Sequence, residues 1–487
     1  MSKKSFLSHI FVFLLILILL GCSVFTGCNK KTDETIVPED VGENYPGLFV
    51  ADDGYIYLNG KKFYGYGLCM YSTFQDALAK ARSIGLYTYD HSLKRSEAYI
   101  ADFRFCNMYD IPVIRVPFCG WGVEVYTKFQ KAPNEVFRIM DKVVAAAEEH
   151  HVGIIVSLLW NQDTVPFLVG EKRSAFGDRN SKTIAFAKEY VSAIVSRYKD
   201  SPAIWGWEIG NEYNLSCDLH AKPTDIFMAD KFSYFDYYAS DELVVFYEEV
   251  AKTIREIDKT RLITTGNGEN RNFSYAGHIA SSQRDEFHYW EVDWSTDTRE
   301  QFMEMCAYFT PDPIDTICFH FQHATLNAAE GSADIRMTHT LKDEVLTTAD
   351  YVKVYVEAGR KVKKGVYFGE FGDFLDVETE SRSDFDRTRF EENFKILMDG
   401  MVAADLQLAT GWFNWSNNNG RFNHTQYDLS EVNVYKMNML KEINDRFVAE
   451  GKQDIEAYWA KYPCDGSSFM TSEDAEAPDE TAVSEGN

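Results

Sequence analysis

Eight short apolar runs punctuate this chain, at residues 63–70, 113–118, 154–160, 203–209, 262–266, 316–321, 366–370 and 408–414. Each is short for a buried helix and nearly unbroken by polar residues, as a strand is when both its faces are covered. Amphipathic helical spacing fills several of the gaps, at 134–151, 184–198, 243–257, 345–362, 389–404 and 432–448. Strands alternating with helices make a parallel sheet, and eight of them close into a (β/α)8 barrel. The expected fold class is therefore α/β, a TIM barrel. Ahead of the first run, residues 49–58 and 61–63 flank Asn59-Gly60. That dipeptide is a strong hairpin signal, and such a hairpin can plug the barrel floor. Long connections at 70–94, 161–181, 213–239 and 267–300 follow the ends of strands one, three, four and five. In a barrel these loops form the active face, so their length points to an enlarged cleft.

The chain ends carry a different message. Lys3 and Lys4 precede an apolar stretch at residues 10–20, too short to span a bilayer but suited to the core of an export signal. It closes on Leu19-Leu20-Gly21-Cys22, a pattern that looks like a bacterial lipobox, with Cys28 as a second candidate anchor. The expected organisation is a lipoprotein signal peptide over 1–22, a tether over 23–45, a catalytic domain over 46–465 and a disordered acidic tail over 466–487. An exported protein, lipid-anchored at the bacterial membrane or cell surface, follows from that reading. The net charge of −26 argues against nucleic acid as a partner, because phosphate binding depends on Lys and Arg. Nine cysteines show no Cys-x-x-Cys spacing, which gives no support to a zinc site. Cys217 and Cys464 are the best candidates for a bridge, whereas Cys69, Cys119 and Cys318 sit in or beside strands as small hydrophobes.

Two runs end on a glutamate: Trp205-Gly206-Trp207-Glu208-Ile209-Gly210-Asn211-Glu212 and Gly365-Val366-Tyr367-Phe368-Gly369-Glu370. A carboxylate at the mouth of a buried strand contributes little to packing. Two of them are what glycoside hydrolysis requires, one as proton donor and one as nucleophile. Trp205 and Trp207 are expected to supply an apolar surround that keeps Glu212 protonated. Arg115, ending the second run in Ile-Arg-Val-Pro, can hold Glu370 ionised.

Taken together, Arg115 on strand two, Asn211-Glu212 on strand four, His320 on strand six, Glu370 on strand seven and Asn414-Trp415-Ser416 on strand eight resemble glycoside hydrolase clan A. Family 5, which holds cellulases and β-mannanases, is the most similar group. The resemblance covers about residues 46–465. It implies that Glu212 is the acid/base, that Glu370 is the nucleophile, that Asn211 holds the sugar 2-hydroxyl and that Trp415 is the stacking floor. Arg115, His320, Trp160 and Trp121 complete the expected substrate-binding set. Neither metal nor cofactor is implied; the partner is a polysaccharide or oligosaccharide. The chain departs from the family pattern at Tyr213, where Pro is usual, at Gln322, where many members place a Tyr, and at Leu158-Leu159-Trp160-Asn161, which lacks a frequent His. The expected function is a retaining endo-β-1,4-glycanase, cellulase or mannanase, with a lean toward mannanase. An exo-acting β-glycosidase of the same clan and an inactive glycan-binding lipoprotein are the alternatives.

Overall fold

The computed structural model describes residues 38–77, 98–220, 236–285, 289–323, 340–373, 387–413, 416–418, 421–423 and 434–469. The export signal, Cys22, Cys28, Asn414, Trp415 and the tail beyond residue 469 lie outside the described residues. All eight expected strands form: β1 (Gly65–Cys69), β2 (Val113–Pro117), β3 (Gly153–Leu159), β4 (Ile204–Gly210), β5 (Leu262–Thr264), β6 (Thr316–His323), β7 (Gly365–Asp373) and β8 (Leu408–Gly411). They pair in parallel and in order, and β8 returns to β1 to close the barrel. The residues of β2, β3 and β4 are buried throughout, which is why their sequences read as continuous apolar runs.

The helices expected between the strands are present with shifted ends. Lys182–Tyr198 starts where Ser181 caps it, its hydroxyl accepting from the Ile184 N–H at 3.1 Å. Thr348–Val362 begins later than expected because Thr347 is its N-cap, and Glu344–Val345 pair instead with Thr340–Leu341 in a short hairpin. The loop after β2 contains a helix at Glu124–Lys131, and the insertions contain helices at Thr164–Val169 and Ser274–Ser282. Each is short, and short segments leave weak periodicity in a sequence.

Beneath the barrel, Leu48–Val50, Ile56–Leu58 and Lys61–Lys62 form an antiparallel meander. Its turn places Asn59 and Gly60 at φ 50° and 79°, the left-handed region that this dipeptide tolerates. The Gln407 side chain ties the meander to the start of β8: its Oε1 accepts from the Ile56 N–H at 2.8 Å, and its Nε2 donates to the Ile56 and Phe63 carbonyls. Residues 38–45, read above as the end of a tether, pack on the same end. Tyr45 lies against Phe49, and Lys461 donates to the Glu43 carbonyl.

Candidate active site

Period-two alternation along β4 sends Trp205, Trp207 and Ile209 outward, and Glu208 and Gly210 into the barrel. Trp205 consequently packs on Phe63, Tyr458 and Trp459, and Trp207 donates from Nε1 to Asp258 at 2.8 Å. The expectation that these two indoles surround Glu212 is therefore wrong, because they lie on the opposite face of the strand. Just past the strand, Asn211 N–H binds the Trp160 carbonyl at 3.1 Å and Glu212 N–H binds the Gly266 carbonyl at 2.7 Å. Glu212 itself sits at φ 57°, ψ 28°. A left-handed backbone at a non-glycine residue is uncommon and concentrates at functional positions. Tyr213, the departure noted in the sequence, is buried and donates its hydroxyl to the Leu159 carbonyl at 2.6 Å.

On β7 the alternation is broken deliberately. Tyr367 points inward, its hydroxyl 2.6 Å from Thr410 Oγ1, and Phe368 points outward onto Phe319. Simple alternation would then turn Glu370 outward as well. The pairing register with β6 slips between Phe368 and Glu370, so Gly369 is an extra residue and Glu370 turns into the barrel. A side chain at 369 would not fit: its Cβ would lie 2.5 Å from His320 Nε2 and 2.9 Å from Cys318 Sγ.

Arg115 is the hub of the site and is fully buried. Its Nη1 donates to Glu370 Oε1 at 2.5 Å, its Nη2 to Asn211 Oδ1 at 2.7 Å, and its Nε to both oxygens of Glu208 at 2.9 Å. His320 Nδ1 is 3.1 Å from Glu212 Oε1 and 3.8 Å from Glu370 Oε1. One carboxylate oxygen of Glu212, one of Glu370 and a ring nitrogen of His320 all lie within 4.8 Å of one another. Three such groups could hold a cation, as could Glu208, Cys318 and His320. Arg115, bonded to both Glu208 and Glu370, already supplies the positive charge there.

Electrostatics separates these groups. Burial raises the Glu212 carboxyl above its ordinary value against an opposing pull from Arg115. Burial also raises Glu370, while His320 and Arg115 pull it down and Glu212 pushes it up. His320 is driven down to about 4, chiefly by burial. It is thus neutral near pH 7, and Arg115 alone remains to favour the ionised form of Glu370.

The aromatic residues fall into two groups. Trp160 is only 2 % exposed and covers the Arg115 guanidinium at 4.6 Å, so it shields the hub and presents no open platform. Trp121, at 38 % exposed, is the more open ring. Tyr71 touches Trp121, Trp160 and Trp412, and Trp412 lies against Trp160, joining the four rings into one wall. Sequence reasoning missed Tyr71, and it missed Glu208. The one trace of Glu208 in the sequence was a charged residue inside an otherwise apolar strand. Cys217 and Cys464 do not bridge; the seven described cysteines are free thiols. Cys217 Sγ turns to the Asn214 carbonyl at 3.2 Å, whereas Cys464 Sγ turns to the Glu148 carbonyl at 3.8 Å.

A closed eight-stranded barrel with two apposed carboxylates at the C-terminal ends of β4 and β7 defines the architecture of a glycosidase. The chain belongs to glycosyl hydrolase family 5, whose model, described as Cellulase, matches residues 81–421. It is similar to mannan endo-1,4-β-mannosidase F of Aspergillus clavatus, 32 % identical over 136 residues, which are 26 % of this chain and 26 % of that protein. A probable mannan endo-1,4-β-mannosidase F of Aspergillus flavus is 41 % identical over 84 residues, 16 % of this chain and 18 % of that one. These matches span about a quarter or less of the curated relatives' length. The crystal structure of an endo-1,4-β-mannanase from Rhizomucor miehei superposes with a TM-score of 0.52 at 16 % identity, covering 82 % of this chain and 100 % of that one. At that identity the likeness speaks for the fold.

Proposed function

We propose that this protein is a retaining endo-β-1,4-mannanase, with Glu370 as nucleophile and Glu212 as acid/base. The observation that carries the reading is the short gap between the two carboxylates, one oxygen of Glu212 lying within 4.8 Å of one oxygen of Glu370. Retaining enzymes place the pair about 5–5.5 Å apart, whereas inverting ones leave roughly 6.5–9.5 Å for a water. In the first step a Glu370 oxygen attacks the anomeric carbon while Glu212 gives its proton to the departing glycosidic oxygen. The bond to the leaving sugar breaks and an ester to Glu370 forms. In the second step Glu212, now ionised, takes a proton from water as the water oxygen displaces Glu370. Asn211, its carbonyl oxygen fixed by Arg115, keeps its amide free to donate to the sugar's 2-hydroxyl. Mannan as substrate is favoured by the names of the curated relatives. A panel of mannan, glucomannan and soluble cellulose, scored by reducing ends and product size, tests it. Oligosaccharides released fastest from mannan are the expected outcome; monosaccharide alone, or cellulose preferred, would overturn the substrate or the endo assignment.

We further propose export and lipid anchoring through Cys22, on the strength of Leu19-Leu20-Gly21-Cys22 behind the apolar core at 10–20. Cys22→Ser is expected to abolish incorporation of radiolabelled fatty acid and to free the protein from membranes. Undiminished labelling would move the anchor to another residue.

A further inference from the structure

We propose that Glu208 is a positioning residue for the nucleophile, acting through Arg115 as its permanent counter-charge; the proposal rests on the retaining reading above. A guanidinium is planar, so fixing one edge fixes the direction of the other. Glu208 grips the Nε edge with both oxygens at 2.9 Å and reaches Nη2 at 2.7 Å, and neither side chain is exposed at all. The Nη1 that remains is thereby aimed at Glu370, and Trp160 closes the face above. Stability alone does not account for this arrangement. Burying an ion pair gains little, and apolar replacements of similar volume are often as stable or more so.

The reaction supplies the reason. When the sugar ester forms, Glu370 loses its negative charge and Glu212 gains one, but among the described residues Glu212 makes no hydrogen bond to Arg115, so Glu208 is the anion that stays bonded to this buried cation. Glu208 is bonded to it before, during and after that step. It also divides the pull of Arg115, so that Glu370 is ionised without being over-stabilised. The other groups around the carboxylates are Cys69, beside Arg115 Nη1 at 3.5 Å, Cys318 and His320 on β6, Tyr367 on β7, and Glu212. Burial holds both thiols and Tyr367 in their protonated forms, and His320 is neutral above about pH 4. Beyond the two carboxylates that react, Glu208 is therefore the acidic partner that can set the charge on Arg115.

Full-length protein carrying Glu208→Gln tests this by kcat and kcat/KM on mannan as a function of pH. With the counter-charge gone, Arg115 pulls harder on Glu370, so the acidic limb should move down by about one pH unit. In the same variant kcat should fall about tenfold or more. Glu208→Asp keeps the charge and withdraws it by one methylene. It should leave the acidic limb in place and lower kcat, which keeps the idea testable if the Gln variant does not fold. Wild-type kcat in the Asp variant, or a limb that moves as far in Asp as in Gln, would overturn the proposal, as would an unshifted Gln profile. Glu370→Ala distinguishes the two levels. If it remains active, the retaining reading fails; if it is dead while Glu208→Gln behaves as wild type, this inference alone fails.

Discussion

Glu212 and Glu370 share one cleft, with Glu212 the more open at 35 % side-chain exposure against 13 %, and burial raises both carboxyls. Their partners divide the labour. Glu370 receives a charged donor from Arg115, which favours its ionised form, whereas Glu212 faces a neutral imidazole. The two alanine variants should therefore fail differently. Glu370→Ala should lose activity on all substrates, at least about a thousandfold, and azide should restore part of it with inverted product. Glu212→Ala should still cleave aryl mannosides with good leaving groups, which need no proton, and azide should speed their turnover with retained product. Identical damage in both variants, with no rescue in either, would refute the division of roles. At this scale the residues at strand ends were legible, because a carboxylate after an apolar run has no packing rationale. Glu208 was not, since within the run it reads as one polar interruption and its partner lies 93 positions earlier in the chain. The faces of Trp205 and Trp207 were misread by taking proximity in sequence for proximity in space.

Among the elements, the barrel strands were legible to within a few residues, because helices outside and packed side chains inside demand apolar character on both faces. The bulge in β7 was not legible. A slip of one residue reverses which face a side chain occupies, and its one trace in the sequence is Gly369 in mid-strand, which by itself also fits a simple close approach. Gly369→Ala tests how tightly this bulge is built. The added methyl must displace His320 or Cys318, both of which are buried. Overpacking of this kind costs about 1–3 kcal/mol, so a fall of several degrees in Tm is expected. A drop in kcat of about tenfold or more should accompany it, because His320 moves away from Glu212. Full activity with unchanged Tm would mean that the bulge has slack. Six of the helices between strands were foreseen from their spacing and misplaced by a turn or less at their ends, whereas Ala98–Met108 and Arg299–Tyr308 were not foreseen. The short helices of the insertions were missed.

For the whole molecule, charge and burial combine into a pH dependence of stability. Burial raises Glu242 to about 7, where its carboxylate accepts from the Ala239 N–H at the start of helix Ser240–Ile257, and raises Asp297 to about 6. Both groups hold a proton more tightly when folded than when unfolded. His320, neutral when folded down to about pH 4 and ordinarily protonated below 6.5, acts the other way at lower pH, so the folded state binds more protons, and stability falls with rising pH, from about 6.5 to about 7. The net charge of −26 acts in the same direction by self-repulsion. Asp258, lowered by Arg261 against its burial, loses its contribution only below the usual carboxylate range, outside that window. Tm should drop between pH 6.5 and pH 8, and Glu242→Gln should flatten that slope; a Tm that rises over this range would show that other groups dominate. The overall architecture was readable from the count and order of elements. The substrate was not, because it depends on loop geometry that no local pattern encodes. The most direct test of the central claim is proton NMR of β-1,4-mannohexaose during the first minutes of hydrolysis, before mutarotation scrambles the anomers. Newly formed reducing ends of shorter oligosaccharides should appear first in the β configuration. Initial α anomers would contradict the double displacement through Glu370, and an intact hexasaccharide would contradict the proposed activity itself.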